Sequence, residues 1–374
     1  MGNKVKILHM TPPDVKNGVY KYIFDHMQYL DHNKFEFGFL TRAAEELRQS
    51  EAYHRFAFRI HPFSTTQRDD PKGLETEIRN VLMQYDMIHL HTSSWRGFMI
   101  EEIAMKLGME RVIVHSHSTG IDVLDESERK KQMQEHFAYR ERFSEKYATD
   151  FWACSHEAGE WLFGDSVTKE KILYLPNAID TEKFAFVKNK RDAIRRELNI
   201  ENCFVIGNVG RYTYQKNQEF LIRCVSKLKE KYPEIILICA GQGEQKNNYE
   251  KLIDELHLQK NVKLINWITN VEDYLLAFDI FCLPSRFEGF PISVIEAQAS
   301  GLPCIIASSI TSDVKLTSLI EYCDLKQDIW IKKIEDYMKC PYMIEDRYGF
   351  HKKIADKGYD IKQSARRLEN LYDK

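Results

Sequence analysis

Hydrophobic residues in this chain gather into short unbroken runs, and between the runs they return every three or four positions among polar ones. The first pattern predicts strands and the second amphipathic helices. In the first half the runs fall at 5–10, 35–40, 87–91, 111–115, 151–153 and 172–175, with helical stretches at 19–30, 74–84 and 97–107. Runs that are apolar throughout, rather than alternating, suit parallel strands buried on both faces. The pattern then restarts, with strands expected at 203–209, 235–240, 262–265, 280–283 and 304–306 and helices at 218–231, 247–256, 273–277 and 292–300. Strand–helix alternation of this kind predicts an α/β fold of doubly wound parallel sheets. A charged stretch at 188–197 precedes the restart, so the domain boundary is placed near residue 185. The expected architecture is two Rossmann-like domains facing across a cleft, 1–185 and 186–345. A helical segment, 346–374, is expected to pack back on the first domain. At 374 residues the chain is also longer than one hydrophobic core usually supports. Ligands in such sheets bind outside the carboxyl ends of the strands, which directs the search for chemistry to the loops that follow them.

Composition narrows the classes. With 43% hydrophobic and 29% charged residues the chain is neither disordered nor fibrous. A formal net charge of −3 exerts no general attraction for nucleic acid, and none is expected as a partner. The apolar stretch before Pro12 and Pro13 is too short for the core of a signal peptide. The opening Met1-Gly2 lacks the Ser or Thr at position 6 that myristoylation requires, since Lys6 stands there. A cytoplasmic protein is expected, with a peripheral membrane contact left open. The eight cysteines show neither a C-x-x-C pair nor zinc-ligand spacing, and read as small buried hydrophobes.

Two constellations carry chemistry. The segment 286–301 reads Arg-Phe-Glu288-Gly289-Phe290-Pro291-Ile-Ser-Val-Ile-Glu296-Ala-Gln-Ala-Ser-Gly. Glu288 follows a strand, Gly289 and Phe290 make a turn, and Pro291 suits the first position of a helix. The N–H groups within 290–293, Pro291 having none, are then placed to meet an anion at the positive helix end, and Glu296 is suited to gripping vicinal hydroxyls. Either glutamate alone would read as a capping or solvated acid; the pair around a Gly-Phe-Pro turn is more particular. The segment 208–217 reads Asn-Val-Gly210-Arg211-Tyr-Thr-Tyr-Gln-Lys216-Asn217, directly after the first strand of the second series. Arg offers a bidentate fork and Lys a point charge, so both can meet one diphosphate. A solvated basic loop is the plain alternative.

These residues resemble the retaining GT-B glycosyltransferases of family 4, the type found in bacterial exopolysaccharide and capsule biosynthesis. The family's Glu-x7-Glu element matches Glu288 and Glu296, and its Gly-Arg…Lys-Asn loop matches Gly210, Arg211, Lys216 and Asn217. Further matches are the segments 175–180, 240–244, 284–285 and 301–303, so the resemblance covers most of 150–310. It implies that Arg211 and Lys216 bind the donor diphosphate, that Glu296 holds the ribose, and that Glu288 with Gly289, Phe290 and Pro291 holds sugar and phosphate. It further implies a nucleotide-sugar donor, UDP-linked by family frequency, and a glycan acceptor on a polyprenyl-diphosphate carrier. Neither a cofactor nor a metal is expected, because the two cations take the charge a divalent ion offsets elsewhere. A GT-B epimerase and a silent carbohydrate-binding subunit are the alternative readings.

In the first domain Asn17-Gly18 follows a strand and opens a helix, which places its amides near the donor phosphate and makes Gly18 an expected donor-binding residue, standing where the family commonly has two glycines. His117 matches the family histidine that reaches the donor sugar, whereas His115 reads as a satisfied strand-end side chain. His89 and His91 alternate along one strand like a metal pair, but no third ligand lies at useful spacing, and they read as strand-end polar residues. Asn266-Trp267 replaces the glycine usual after that strand, near the expected base pocket. The stretch 129–146 interleaves basic with aromatic residues and suits an anionic bilayer; its glutamates equally suit a solvated face.

Overall fold

The apolar runs form strands at nearly the expected places in the computed structural model, which describes residues 4–62 and 71–373. The Met-Gly opening lies outside the described residues. The strands are β1 (Val5–Met10), β2 (Phe35–Thr41), β3 (Arg59–Pro62), β4 (Met87–Thr92), β5 (Arg111–Ser116), β6 (Asp150–Ala153) and β7 (Ile172–Tyr174). A second set follows: β8 (Phe204–Val209), β9 (Ile235–Ala240), β10 (Val262–Ile265), β11 (Ile280–Leu283), β12 (Cys304–Ala307) and β13 (Ile320–Cys323). They pair in parallel into two sheets, ordered β3-β2-β1-β4-β5-β6-β7 and β10-β9-β8-β11-β12-β13. In each sheet the order reverses beside its first strand, between β1 and β4 and between β8 and β11. That reversal is where doubly wound sheets open a binding crevice. Two strands escape the sequence reading, β3 and β13, and both lie at sheet edges. β3 has no buried residue among its four, so it carries no apolar run to detect.

The chain divides into two compact units. The first holds residues 1–121, 127–177 and 362–374, and the second holds 122–126 and 178–361. The sequence reading puts the boundary at 185; the division observed is at 177/178. The intervening segment joins the second unit because Thr181 and Phe184 are buried there. Thr181 Oγ1 donates to Asp360 Oδ2 at 2.9 Å, and Ile179 pairs with Asp360 as an isolated parallel bridge.

The first unit's core sets Ile7, Phe35, Phe37, Phe39, Ile113 and Trp152 of the sheet against the helix Gly18–Met27. Leu368 and Tyr372 of the last helix, Ile361–Tyr372, complete it. In the second unit every residue of β9, β11 and β12 is buried, as the unbroken runs require. The charged stretch 188–197 is the helix Lys188–Glu197, and two of its arginines face inward. Arg191 Nη1 donates to Leu276 O and Phe278 O at 2.8 and 2.7 Å, and Arg195 Nη1 donates to Ala277 O at 2.7 Å. Both pair with Asp279, and Arg347 donates to the Phe278 carbonyl at 3.0 Å. These cations satisfy the carbonyl groups at the end of the helix Val271–Ala277, the end where positive charge is favoured. The cysteines are free thiols, six of them buried. Among the described residues no helix is long and apolar enough to cross a membrane.

Candidate active site

The two segments singled out in the second unit leave the carboxyl ends of β8 and β11, the strands flanking the reversal point. Loop 210–217 opens at Gly210, where an added Cβ would lie 3.2 Å from Lys216 Cδ, so the missing side chain lets Lys216 fold back across the loop. Gly241, after β9, permits a closer approach: a Cβ there would lie 2.0 Å from the Gly210 carbonyl oxygen. Asn217 closes the loop in the left-handed region at φ 56°, which asparagine tolerates. Its Nδ2 donates to Pro284 O at 3.1 Å and fastens this loop to the one after β11. Gln218 Nε2 donates to Asn208 Oδ1 at 3.2 Å and Arg211 O at 3.0 Å from below.

The cations and acids of this site are already paired. Lys216 Nζ donates to Glu288 Oε1 at 2.6 Å, and Ser285 Oγ donates to the same oxygen at 2.6 Å. Gln215 Nε2 donates to Glu288 Oε2 at 3.1 Å. Arg211 faces Asp122 at 3.1 Å, and the other Asp122 oxygen accepts the Gln215 N–H at 2.9 Å. The sequence reading sends Arg211 and Lys216 to one anion; the structure places them in one loop with a carboxylate each. Phosphate oxygens arriving here would exchange with carboxylate oxygens, a swap between like charges that leaves no cation bare. Asp122, Gln215 and Ser285 were not singled out as site residues. Ser285 lies in a matched segment, but Asp122 is distant in sequence and carries no local signal.

Glu296 lies inside the helix Ile292–Ala299 and is buried. Pro291, expected at the first helical position, stands one residue earlier as the cap. It brings no side-chain cap bond to the helix start, the arrangement in which first-turn amides are left for other acceptors. Gly289 and Phe290 are buried in the turn, and the Phe290 ring stacks on Tyr359 with planes 8° apart. Trp267, after β10, is 49% exposed.

In the first unit the Asn17 side chain caps the helix Gly18–Met27, accepting from the Val19 and Tyr20 amides at 2.9 and 3.2 Å. Those two amides are therefore occupied, and a Cβ at Gly18 would meet nothing within 4 Å. His117, just past β5, is half-buried, with Nε2 hydrogen-bonded to His91 Nδ1 at 2.8 Å. His91 Nε2 continues to His9 Nδ1 at 3.0 Å. A parallel chain runs from His115 Nδ1 to His89 Nε2 at 3.2 Å and from His89 Nδ1 to the Tyr372 hydroxyl at 2.7 Å. Burial holds all five imidazoles uncharged, lowering His9 and His117 to about 3 and His89, His91 and His115 well below the ordinary value. Two sequence readings change here. His89 and His91 do acquire third nitrogen neighbours, contributed by β1 and β5 rather than by linear spacing. His115 is not fully satisfied, because its buried Nε2 has no partner.

The basic and aromatic stretch 129–146 includes most of the helix Glu126–Arg140. Its aromatic side chains turn onto their own unit: Phe143 stacks on Trp95 at 4.6 Å, Tyr139 meets Phe98 edge-on, and Phe137 meets Trp161. Glu128 pairs with Lys131 at 3.6 Å.

Residues 16–183 match the family described as Glycosyltransferase Family 4, and residues 190–313 match Glycosyl transferases group 1. The chain is a GT-B glycosyltransferase and belongs to family 4. EpsF of Bacillus subtilis (strain 168) is 28% identical over 98% of this chain and 96% of its own length. The UDP-Gal:alpha-D-GlcNAc-diphosphoundecaprenol alpha-1,3-galactosyltransferase of Escherichia coli is 27% identical over 82% of this chain and 80% of its own. The fold is shared with Anabaena Alr3699/HepE, solved in complex with UDP and glucose, at a TM-score of 0.77 and 16% identity over 99% of this chain and 100% of that one.

Proposed function

We propose that this glycosyltransferase moves a hexosyl unit from a UDP-sugar to a glycan carried on a polyprenyl diphosphate, with retention, in the assembly of a bacterial surface polysaccharide. The observation that carries this reading is the loop pair at the β8/β11 reversal, where Lys216 pairs with Glu288, Arg211 pairs with Asp122 from the same loop, and the Glu296 helix follows Glu288 in the chain. Arg211 and Lys216 are assigned to the donor diphosphate and offset charge on the departing nucleotide. Glu296 is assigned to the ribose, Glu288 and the 289–291 turn to the sugar and its phosphate, and His117 to the sugar near the reacting carbon. With two cations for the leaving group, the transfer requires no divalent ion at the phosphates. The lipid-diphosphate acceptor is supported by the name of the Escherichia coli relative.

The test is an assay of purified protein with a panel of UDP-sugars and an undecaprenyl-diphosphate monosaccharide, with the product linkage read by NMR. An α-linked product from an α-linked donor is expected, at a rate unchanged in excess EDTA. A β-linked product would overturn retention. Loss of activity in EDTA, restored by manganese or magnesium, would overturn the metal-free charge assignment.

A further inference from the structure

We propose that His91, His115 and His117 form a site for one borderline d-block divalent cation, of the Zn2+ or Co2+ kind, with His9 and His89 as the outer partners that orient two of its ligands. The five histidines sit on one face of three adjacent strands. β1 and β4 pair His9 with His89, and β4 and β5 pair His91 with His115. The two-residue spacing of 89 with 91 and of 115 with 117 keeps each pair on that face.

One ring nitrogen from each of His91, His115 and His117 lies within 4.8 Å of the other two. Tetrahedral Zn–N bonds of 2.0–2.1 Å would set such nitrogens about 3.3 Å apart. The His91 Nδ1 to His117 Nε2 pair, at 2.8 Å, needs only a small widening, with a cation taking the place of the proton between them. His115 contributes the second observation. Its Nε2 is buried without any partner, an uncompensated polar atom that native proteins rarely leave.

The remaining histidines complete a consistent proton arrangement. With Nε2 of His115 as a ligand, its Nδ1–H donates to His89 Nε2, and His89 Nδ1–H donates to the Tyr372 hydroxyl. With Nδ1 of His91 as a ligand, its Nε2–H donates to His9 Nδ1. The proton between His91 and His117 passes to His117 Nδ1, so three bare nitrogens face the cation and no net proton leaves. Ligand histidines held through their second nitrogen are the usual companions of a metal site. Uncharged imidazoles suit zinc, cobalt, nickel and copper, and not magnesium or calcium.

A second triad, His9, His89 and His91, shares His91 and cannot fill at the same time. It is the poorer site. Both nitrogens of His89 are engaged and all three rings are buried, whereas the half-buried His117 gives the outer triad a route from solvent. The proposed transfer reading is touched only through His117, whose Nε2 would face the cation and leave Nδ1–H for the donor sugar, and the cation is assigned no part at the phosphates.

The test is titration of the full chain, stripped with chelator and desalted, with Co2+ while following its visible d–d absorption. One Co2+ per chain is expected, with intense bands of tetrahedral type, displaced by Zn2+ and untouched by excess Mg2+. His115→Gln should weaken Co2+ binding at least 100-fold, and His9→Gln about 10-fold as an outer partner. His54→Gln, in an exposed helix, should leave it unchanged. X-ray absorption of the wild-type Co2+ complex reads the ligand set without any substitution and should show three imidazoles. Failure to bind stoichiometrically, an oxygen-only ligand sphere, or an unchanged affinity in a folded His115→Gln protein would each overturn the proposal.

Discussion

Charge pairing inside the second unit makes single substitutions at the candidate site informative. Lys216 contacts Glu288 and Arg211 contacts Asp122, so removing either cation takes away the proposed leaving-group contact and also leaves an acid without its cation. Lys216→Ala and Arg211→Ala should each lower kcat by the equivalent of about 2–4 kcal/mol, as for a lost oxyanion donor. Steady-state rates on protein whose circular dichroism matches wild type are the check, and near-normal turnover in either variant would remove the diphosphate role. The two glutamates should separate. Glu296→Ala should weaken free UDP as much as intact donor, because a ribose ligand acts on the nucleotide itself. Glu288→Ala should act mainly on kcat, through contacts that strengthen as the sugar becomes oxocarbenium-like. Calorimetry with UDP on both variants, beside single-turnover rates, decides; equal losses of UDP affinity would refute the division. These residues were legible because their motifs are local. Asp122 and the histidine cluster were not, since the one comes from a loop distant in sequence and the others from separate strands, which leaves no spacing in the sequence.

Strands and helices followed the apolar pattern closely where both faces are buried, as at β9, β11 and β12, and failed at the exposed edge strand β3. The helix Glu126–Arg140 shows the same limit: its charges were visible, but not that a single buried histidine anchors it. The Trp95 N–H donates to His136 Nδ1 at 3.0 Å, which requires that nitrogen to be unprotonated, and His136 Nε2 meets the Trp161 carbonyl at 3.1 Å. Burial lowers this imidazole from its ordinary value to about 4, opposed by the Trp161 carbonyl and reinforced by Arg140. The sign follows from which state takes the proton. Between pH 6.5 and about 4 the unfolded chain protonates while the folded one does not, so stability is lost as pH falls through that window. One such histidine contributes a slope of up to about 1.4 kcal/mol per pH unit. Urea unfolding at several pH values should show a slope shallower by up to one proton in His136→Gln than in wild type. Identical slopes would mean that the helix does not depend on the neutral ring.

The order of residues along the chain is not the order of its compact units, and this has a consequence for stability. The sequence reading expected residues 346–374 to return to the first domain; only 362–374 belong to the first unit, and 346–361 stay with the second. The amphipathic pattern of the last helix announces a buried face, but the residues that face covers become visible only in the fold. Leu368 and Tyr372 are 2% exposed within the first unit's core, and the Tyr372 ring lies against Phe35 and Trp152. Its hydroxyl meets His89, Ser364 Oγ meets His26 Nε2 at 2.8 Å, and Arg367 donates to Tyr174 O at 2.9 Å. A fragment spanning 1–177 would therefore expose the apolar faces that this helix covers, and the last helix acts as a tie that the first unit lacks until the whole chain is made. Tyr372→Ala should destabilise the first unit by about 3–5 kcal/mol, the range for losing a buried aromatic ring. Tyr372→Phe keeps the ring and removes only the hydroxyl, so its cost should be about 1–3 kcal/mol, that of leaving the buried His89 nitrogen unpaired. A chain ending at Asp360 should lose amide protection across β1, β4 and β5 while retaining it across β8, β9 and β11. Hydrogen exchange read by mass spectrometry on these three proteins separates the effects strand by strand. Undiminished protection of β1, β4 and β5 in the shortened chain would show that the first unit closes its own core without the helix.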